Sequence, residues 1–262
     1  MKLVKTPQEL LVMKEGGKKL AGILEELLKA SSLGTKLIDI DHLAQKLIRA
    51  AGGTPSFQTV SGYKWATCLC VNDVIVHGVP SGYALVEGDV FTVDVGLLYK
   101  GLHTDTAWTK IVGDKPREKR AEKERFLKVG EEALWKAIGA AREGNRIGHI
   151  SQEIHKTIKD AGYSVVRSLV GHGTGKKLHE APQVPGFIAE PLARTPELLA
   201  GMTLAIEVIY AIGKHDVIYD TGDGWSIATK DGSLSSVFEH TIAITKGDPL
   251  ILTVSGRESS ER

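Results

Sequence analysis

The chain has the composition of an ordinary globular protein, with 262 residues, of which 42% are hydrophobic and 25% are charged. Its 33 basic and 32 acidic residues nearly cancel to a net charge of +1, which argues against a nucleic-acid binder. Cys68 and Cys70 are one residue apart in a predicted strand, so we expect no disulfide between them and a reducing, cytoplasmic setting. We find no signal peptide and no run near the ~20 apolar residues of a membrane span.

Four helices are predicted, in two pairs. The first begins at a capping box formed by Thr6 and Glu9, has proline at its first helical position, and runs to about residue 31. The other three are expected over about 39–51, 114–142 and 147–161, and a glycine follows each of them. The charged stretch 114–125 is interpreted as the solvated beginning of the third helix.

Strands are predicted after each helix pair, from β-branched and aromatic residues that alternate with other residues. The predicted strands cover 65–76, 90–95, 106–112, 164–169, 203–211, 225–229 and 237–245. The order of helices, strands, helices and strands predicts an α+β fold with an internal pseudo-repeat. We expect one catalytic domain over residues 1–254 and a polar, disordered tail over 255–262.

Two acids lie in the hairpin predicted around the turn at residues 99–101. Asp94 lies between Val93 and Val95 in an apolar strand, where a lone carboxylate is costly unless something neutralises it. Asp105 directly precedes the second strand, and folding at this turn places it opposite Asp94 within about one residue of register. Two carboxylates so close need a shared proton or a cation. The alternative is two solvated acids on an edge hairpin.

Three further polar residues stand in unexpected surroundings. Glu207 and Glu239 each interrupt an apolar predicted strand, and His172 lies among three glycines in the segment GHGTG. A lone histidine is often structural, but glycines allow close backbone approach at a site. Together with Asp94 and Asp105 these residues suit a pair of divalent cations, with Mn, Fe or Co favoured and Zn possible.

The motifs that contain these residues resemble those of the type I methionine aminopeptidases of peptidase family M24. They are NDVIVHGVP at 72–80, VDV at 93–95, DT at 105–106, GHGTG at 171–175, HEAPQ at 179–183, IE at 206–207 and FEHT at 238–241. The similarity covers residues 6–245, and the motifs occur in the order and spacing of the family.

The resemblance implies a pita-bread fold, in which two pseudo-symmetric α+β halves enclose a dinuclear metal site. It implies that Asp94 and Asp105 hold one metal ion. Asp105 and Glu239 would bridge the two ions, and His172 and Glu207 would complete the second.

The resemblance also implies a reaction, the removal of the initiator methionine by attack of a metal-held hydroxide on the first peptide carbonyl. Glu207 would shuttle the proton, His179 would stabilise the oxyanion, and His77 would contact the leaving amide. The positions that match the methionine pocket are Tyr63, Cys68 and Trp225, although these three could be plain core residues. The implied partners are nascent polypeptides and transiently the ribosome, with no nucleic acid substrate, no membrane and a monomeric state.

Some residues depart from the family pattern. Leu178 stands where bacterial members often carry an aromatic residue, Val208-Ile209 replaces a usual Pro-Met, and Lys64-Trp65 replaces a common Pro-Lys. These changes affect the expected shape of the substrate pocket but not the metal ligands.

Two other functions remain open at this level. A proline-specific relative such as prolidase would use the same metal set, but these relatives usually carry an additional N-terminal domain for which the chain has no room. A non-catalytic pita-bread binding module would have lost ligands, whereas all five are present here.

Overall fold

Two pairs of helices and a large antiparallel sheet form the computed structural model, which describes residues 3–114, 120–219 and 221–254. The helices are α1 (Pro7–Ala30), α2 (Leu37–Ala50), α3 (Arg120–Ala140) and α4 (Ile147–Asp160). The strands are β1 (Thr54–Pro55), β2 (Thr67–Val71), β3 (Val74–Val76), β4 (Val90–Tyr99), β5 (Leu102–Ile111), β6 (Ser164–Val165), β7 (Gly171–Gly173), β8 (Glu180–Val184), β9 (Thr203–Ala211), β10 (Val217–Ile218), β11 (Ile227–Thr229), β12 (Ser235–Ala243) and β13 (Leu250–Ile251). None of the helices in these ranges is long and apolar enough to cross a membrane.

The first helix begins where the capping box predicts. The Thr6 hydroxyl accepts a hydrogen bond from the Glu9 N–H at 3.2 Å, and the Glu9 carboxylate accepts one from the Thr6 N–H at 2.8 Å. The other helices also lie where the sequence predicts them. Part of the charged stretch before α3 and the predicted tail at 255–262 lie outside the described residues.

The helices cover one face of the sheet, whose main path runs β1-β4-β5-β12-β9-β7-β8. Alternate residues of β4, from Phe91 to Leu97, pack with α1 and α2, and alternate residues of β9, from Leu204 to Tyr210, pack with α3 and α4. Because successive strand side chains point to opposite faces, the intervening residues face away from the helices. The α+β class is confirmed. Asp94, Glu207 and Glu239 lie on the face of the sheet that points away from the helices.

The strand pattern differs from the prediction in its short strands, among which β10 and β13 were not predicted. The strand predicted over 164–169 is limited to β6, and the short strands β7 and β8 were not predicted. Both contain residues that weaken a strand signal, since two of the three residues of β7 are glycine and β8 contains Pro182. β7 pairs with both β8 and β9, so β9 joins these two short strands to the sheet.

Candidate metal centre and active site

The register of the sheet places three acids in one row. The directly paired positions across β2, β4, β5, β12 and β9 are Cys68, Asp94, Ala107, Glu239 and Glu207. Paired residues of antiparallel strands point to the same face, with Cβ atoms roughly 4.5–5.5 Å apart. The small side chain of Ala107 therefore leaves space between Asp94 and Glu239.

Asp105 lies beside this row rather than in it. It pairs with Gly96, whereas Asp94 pairs with Ala107, so the two acids are offset by two residues. The expectation of near-direct opposition was wrong because the turn contains only Lys100 and Gly101, with φ of 48° and 81°. An offset of two residues keeps both acids on the same face of the sheet, where they are diagonal neighbours.

His172 enters the sheet between two glycines. A Cβ at Gly171 would lie 2.5 Å from the carbonyl oxygen of Ala205, and one at Gly173 would lie 2.3 Å from that of Ala181. Only glycine therefore lets β7 approach both neighbouring strands. Nδ1 of His172 lies 2.9 Å from the carbonyl oxygen of Gly173, which can only accept, so Nδ1 carries the proton.

This tautomer leaves the lone pair of the His172 ring on Nε2, which lies 3.4 Å from Oε1 of Glu207. Ligand atoms of Asp105, His172 and Glu239 all lie within 4.8 Å of one another. A histidine oriented through its second nitrogen is the usual arrangement for a metal ligand. The group could therefore hold a divalent ion.

The four carboxylates cannot all be charged in this site without a cation. Burial, followed by the charges of neighbouring carboxylates, raises the pKa of Asp94, Glu207 and Glu239 well above the usual range. Burial also raises the pKa of Asp105. A bound cation would reverse these shifts because it stabilises the ionised form.

A buried acid elsewhere shows what a carboxylate without a metal requires. Oδ1 of Asp41 accepts hydrogen bonds from the N–H of Ala66, and from the N–H and hydroxyl of Thr67, at 2.8–3.0 Å. Its other oxygen accepts one from Gln45. By contrast, Oδ1 of Asp94 and Oε1 of Glu239 are buried without a hydrogen-bond partner in the described chain. Cations would satisfy these two oxygens.

One cavity of about 580 Å³ brings together every residue predicted for the site. The ten are Tyr63, Cys68, His77, Asp94, Asp105, His172, His179, Glu207, Trp225 and Glu239. The structure thus places them side by side, while their individual roles remain predictions.

Two histidines that are not in the acidic row also line the cavity. His77 follows β3 and has a φ of 57°, an uncommon conformation for a residue other than glycine. The His179 ring stands nearly perpendicular to that of His172, with centroids 4.4 Å apart. Desolvation by the cavity walls lowers the pKa of both His77 and His179, and for His77 the nearby His179 adds to the effect. Both rings are therefore neutral at pH 7 and can donate or accept a hydrogen bond.

An apolar wall closes one side of the cavity. Phe57, Tyr63, Cys68 and Leu178 form a buried cluster against which Trp225 packs. The rings of Tyr63 and Trp225 are 5.0 Å apart, edge to face, and the Tyr63 hydroxyl donates to the carbonyl of residue 67 at 2.7 Å. The wall can receive an apolar side chain of moderate size.

Sequence reasoning missed part of this lining. Phe57 and Val60 border the cavity from residues 55–63, for which the sequence predicts only a loop or an irregular strand. An aromatic residue in a loop was the only available signal. Val208 and Ile209, which replace the usual Pro-Met of the family, point to opposite faces of β9. Ile209 lines the cavity, whereas Val208 packs beneath α3 and α4.

Comparison with known proteins identifies the class. Residues 12–246 match metallopeptidase family M24. Over 253 residues the chain is 38% identical to methionine aminopeptidase 1 of Bacillus subtilis, covering 97% of this chain and 99% of that protein. The methionine aminopeptidase of Clostridium perfringens is also 38% identical, over 254 residues that cover 97% of this chain and 99% of that protein.

Solved structures agree with this class. The crystal structure of methionine aminopeptidase from Thermotoga maritima has a TM-score of 0.91 and 39% identity, and the match covers 97% of this chain and all of that one. Prolidase from Pyrococcus furiosus has a TM-score of 0.76 at 21% identity over 65% of its length, which supports the shared pita-bread fold alone. The chain belongs to metallopeptidase family M24 and is a metal-dependent hydrolase of pita-bread fold.

Removing metal should make the protein less stable as the pH rises. The four carboxylates have pKa values that are higher in the folded protein than in the unfolded chain, so their contribution to stability is complete at low pH and is lost as the pH rises. The melting temperature of the chelated protein should therefore fall as the pH rises from the unfolded carboxyl pKa of ~4 through the pKa of Asp105 in the folded protein, about 7.

With divalent metal bound, the carboxylates are ionised ligands and this fall should disappear. Thermal unfolding with and without chelator, at matched ionic strength, checks the prediction. A chelated protein whose melting temperature rises across this interval would contradict it.

Proposed function

We propose that this enzyme removes the N-terminal methionine from polypeptides and that the reaction occurs in the cavity described above. One observation carries the proposal: a row of buried carboxylates and an apolar wall line the same cavity. Relatives named methionine aminopeptidase, similar over nearly their whole length, support the same substrate.

Two divalent ions, Co, Mn, Fe or Zn, would occupy the centre. Asp94 and Asp105 would hold one ion, His172 and Glu207 the other, and Asp105 and Glu239 would bridge them. The mostly oxygen donor set with one nitrogen suits these metals, and the two unpartnered oxygens require such neutralisation. Bound there, the ions would supply Lewis acidity toward the scissile carbonyl and a water made nucleophilic at neutral pH.

The protein's own side chains would handle the protons. Glu207 would take up the proton of the attacking water and pass it toward the leaving amine. His179, neutral at pH 7, would donate a hydrogen bond to the carbonyl oxygen as negative charge develops on it. His77 would orient the scissile amide from the same cavity.

The wall formed with Tyr63, Cys68 and Trp225 would receive the methionine side chain. These three residues line the cavity of about 580 Å³, which would take a flexible, unbranched chain. Norleucine should therefore be accepted, since such pockets discriminate poorly between similar apolar groups. Valine and lysine should be rejected, because one is branched at Cβ and the other carries a charge.

The test is methionine release from Met-Ala-Ser by the metal-loaded enzyme. Release of methionine, with no release when lysine replaces it, supports the proposal. The main rival is a proline-specific relative with the same metal set. If the enzyme instead requires proline at the second position and ignores the first residue, that rival is correct.

Leu178 should set the size limit at the second substrate position. It is buried in the apolar wall and directly precedes His179, so we propose that its side chain extends this wall toward the residue that follows methionine. Leu178→Phe should narrow this region and lower kcat/KM for Met-Leu peptides relative to Met-Ala by about tenfold.

Kinetics with Met-Ala, Met-Val and Met-Leu peptides measures the change. Leu199→Phe is the control, because Leu199 is 43% exposed and does not line the cavity. If wild type and Leu178→Phe discriminate equally between these peptides, Leu178 does not limit the size of the second substrate residue.

The remaining expectations accompany the proposal. We propose that the polypeptide substrate is a nascent chain in the cytoplasm, that the enzyme contacts the ribosome transiently, and that it is a monomer with one catalytic domain over 1–254. Sedimentation of the purified enzyme, with and without ribosomes, tests the oligomeric state and the ribosome contact.

A further inference from the structure

A buried ion pair joins the beginning of the chain to the strand that follows His179. The ammonium group of Lys5 lies 2.8 Å from Oε2 of Glu180, and the two side chains are only 5% and 3% exposed. The two residues are 175 positions apart in sequence, so only the folded chain brings them together. Glu180 is the first residue of β8 and directly follows His179.

The carboxylate of Glu180 also fixes the loop 174–179. Its second oxygen, Oε1, accepts a hydrogen bond from the N–H of Lys177 at 3.0 Å. The N–H of Gly175 donates to the carbonyl of Lys177, and the carbonyl of Gly175 accepts from the N–H of His103 on β5. The loop that carries His179 is thus held by the carboxylate at one point and by β5 at another.

The N-terminal segment is itself fixed against the protein. The N–H of Lys5 donates to the carbonyl of Gly201 at 2.8 Å, and Val4 pairs with Met202. A Cβ at Gly175 would lie 2.2 Å from Cε of Lys5, so the lysine stem packs directly on the loop backbone. Lys5 therefore supports the loop through both its stem and its charge.

Stability alone explains this ion pair poorly. Taking two charges out of water carries a large desolvation penalty, and replacing a buried pair by apolar residues is often neutral or stabilising. The best-attested use of buried polar groups is to fix one register among alternatives. Here the register of loop 174–179 decides where Leu178 and His179 lie in the cavity.

We propose that Lys5 and Glu180 are positioning residues that hold His179 at the metal centre. The inference rests on the proposed function and adds the N-terminal segment to the parts of the chain that support catalysis. Lys5 does not line the cavity, so it acts through Glu180 and the loop.

The first test is Lys5→Met, which keeps the stem and removes the charge. We expect kcat for Met-Ala-Ser to fall by about 10- to 100-fold, the effect of a small misplacement of a catalytic group, with metal content and KM little changed. The double variant Lys5→Met with Glu180→Met replaces the pair by apolar side chains. It should recover the melting temperature of wild type but not its kcat.

A purely structural role predicts that kcat recovers together with the melting temperature, and this result would overturn the proposal. In a His179→Ala background, Lys5→Met should cause no further loss of kcat, because both changes remove the same interaction. An undiminished further loss would show that Lys5 acts elsewhere. Lys29→Met is the control, since Lys29 makes an exposed ion pair with Glu26.

Hydrogen exchange gives a measurement that does not depend on activity. Lys5→Met should increase exchange over residues 174–180 without increasing it in β9, and unchanged exchange would overturn the proposal. If wild type releases no methionine, the proposed function fails, while the exchange measurement still decides whether Lys5 holds the loop.

Discussion

Replacing Asp105 with asparagine should remove most of the bound metal and lower methionine release by more than about 100-fold. This loss of activity should exceed that expected for a residue that only supports a metal ligand, because Asp105 is proposed to bridge both ions. Asparagine keeps the oxygen that accepts the hydrogen bond from the N–H of Thr106, so the local fold should persist. Glu239→Gln should have a comparable effect, since Glu239 is the second proposed bridge.

The metal-free variant provides an independent check. Asp105→Asn removes one of four mutually repelling carboxylates, so the chelated variant should melt at the same or a higher temperature than chelated wild type. Added metal should then raise its melting temperature much less than it does in wild type. Asp248→Ala is the control, since this acid is 80% exposed. Full metal content in Asp105→Asn, measured by mass spectrometry, would contradict its assignment as a ligand.

The second large effect is expected for His179, which the proposal places near the reaction without making it a ligand. His179→Ala should retain both metal ions while kcat falls by about 10²- to 10³-fold, as for the loss of one oxyanion donor. KM should change little, because the lost hydrogen bond strengthens mainly in the transition state.

Metal analysis and steady-state kinetics on the same preparation check this role. Loss of metal in His179→Ala would make the residue a ligand or a support for one, and unchanged turnover would exclude the oxyanion role. His42→Ala, at an exposed position of α2, controls for removal of a histidine far from the cavity.

Local sequence signals predicted the parts of the fold that depend on near neighbours. The capping box at Thr6 specified the beginning of α1, because its hydrogen bonds join residues only three apart. Asp94, Glu207 and Glu239 were identified because a charged residue in an apolar strand conflicts with its surroundings. The glycines around His172 indicated close backbone approach, which the packing of Gly171 and Gly173 against neighbouring carbonyls explains.

Tertiary structure alone decided how these parts meet. The row from Asp94 through Ala107 to Glu239 and Glu207 depends on strand order and register. Glu239 pairs with Ala107, 132 residues away in sequence, and with Glu207, 32 residues away. Even within the hairpin, the two-residue turn at Lys100 and Gly101 set a register that composition did not reveal.

The sequence by itself determined which side chains are chemically out of place: acids without neighbours to neutralise them and a histidine among glycines. Only the tertiary structure decided what surrounds them, including the cavity wall at Phe57 and the Lys5–Glu180 contact beneath the His179 loop. The reason is physical. A cap or a strand period is fixed by bonds between near neighbours, whereas a loop position or a buried ion pair is fixed by contacts that form only when distant segments pack together.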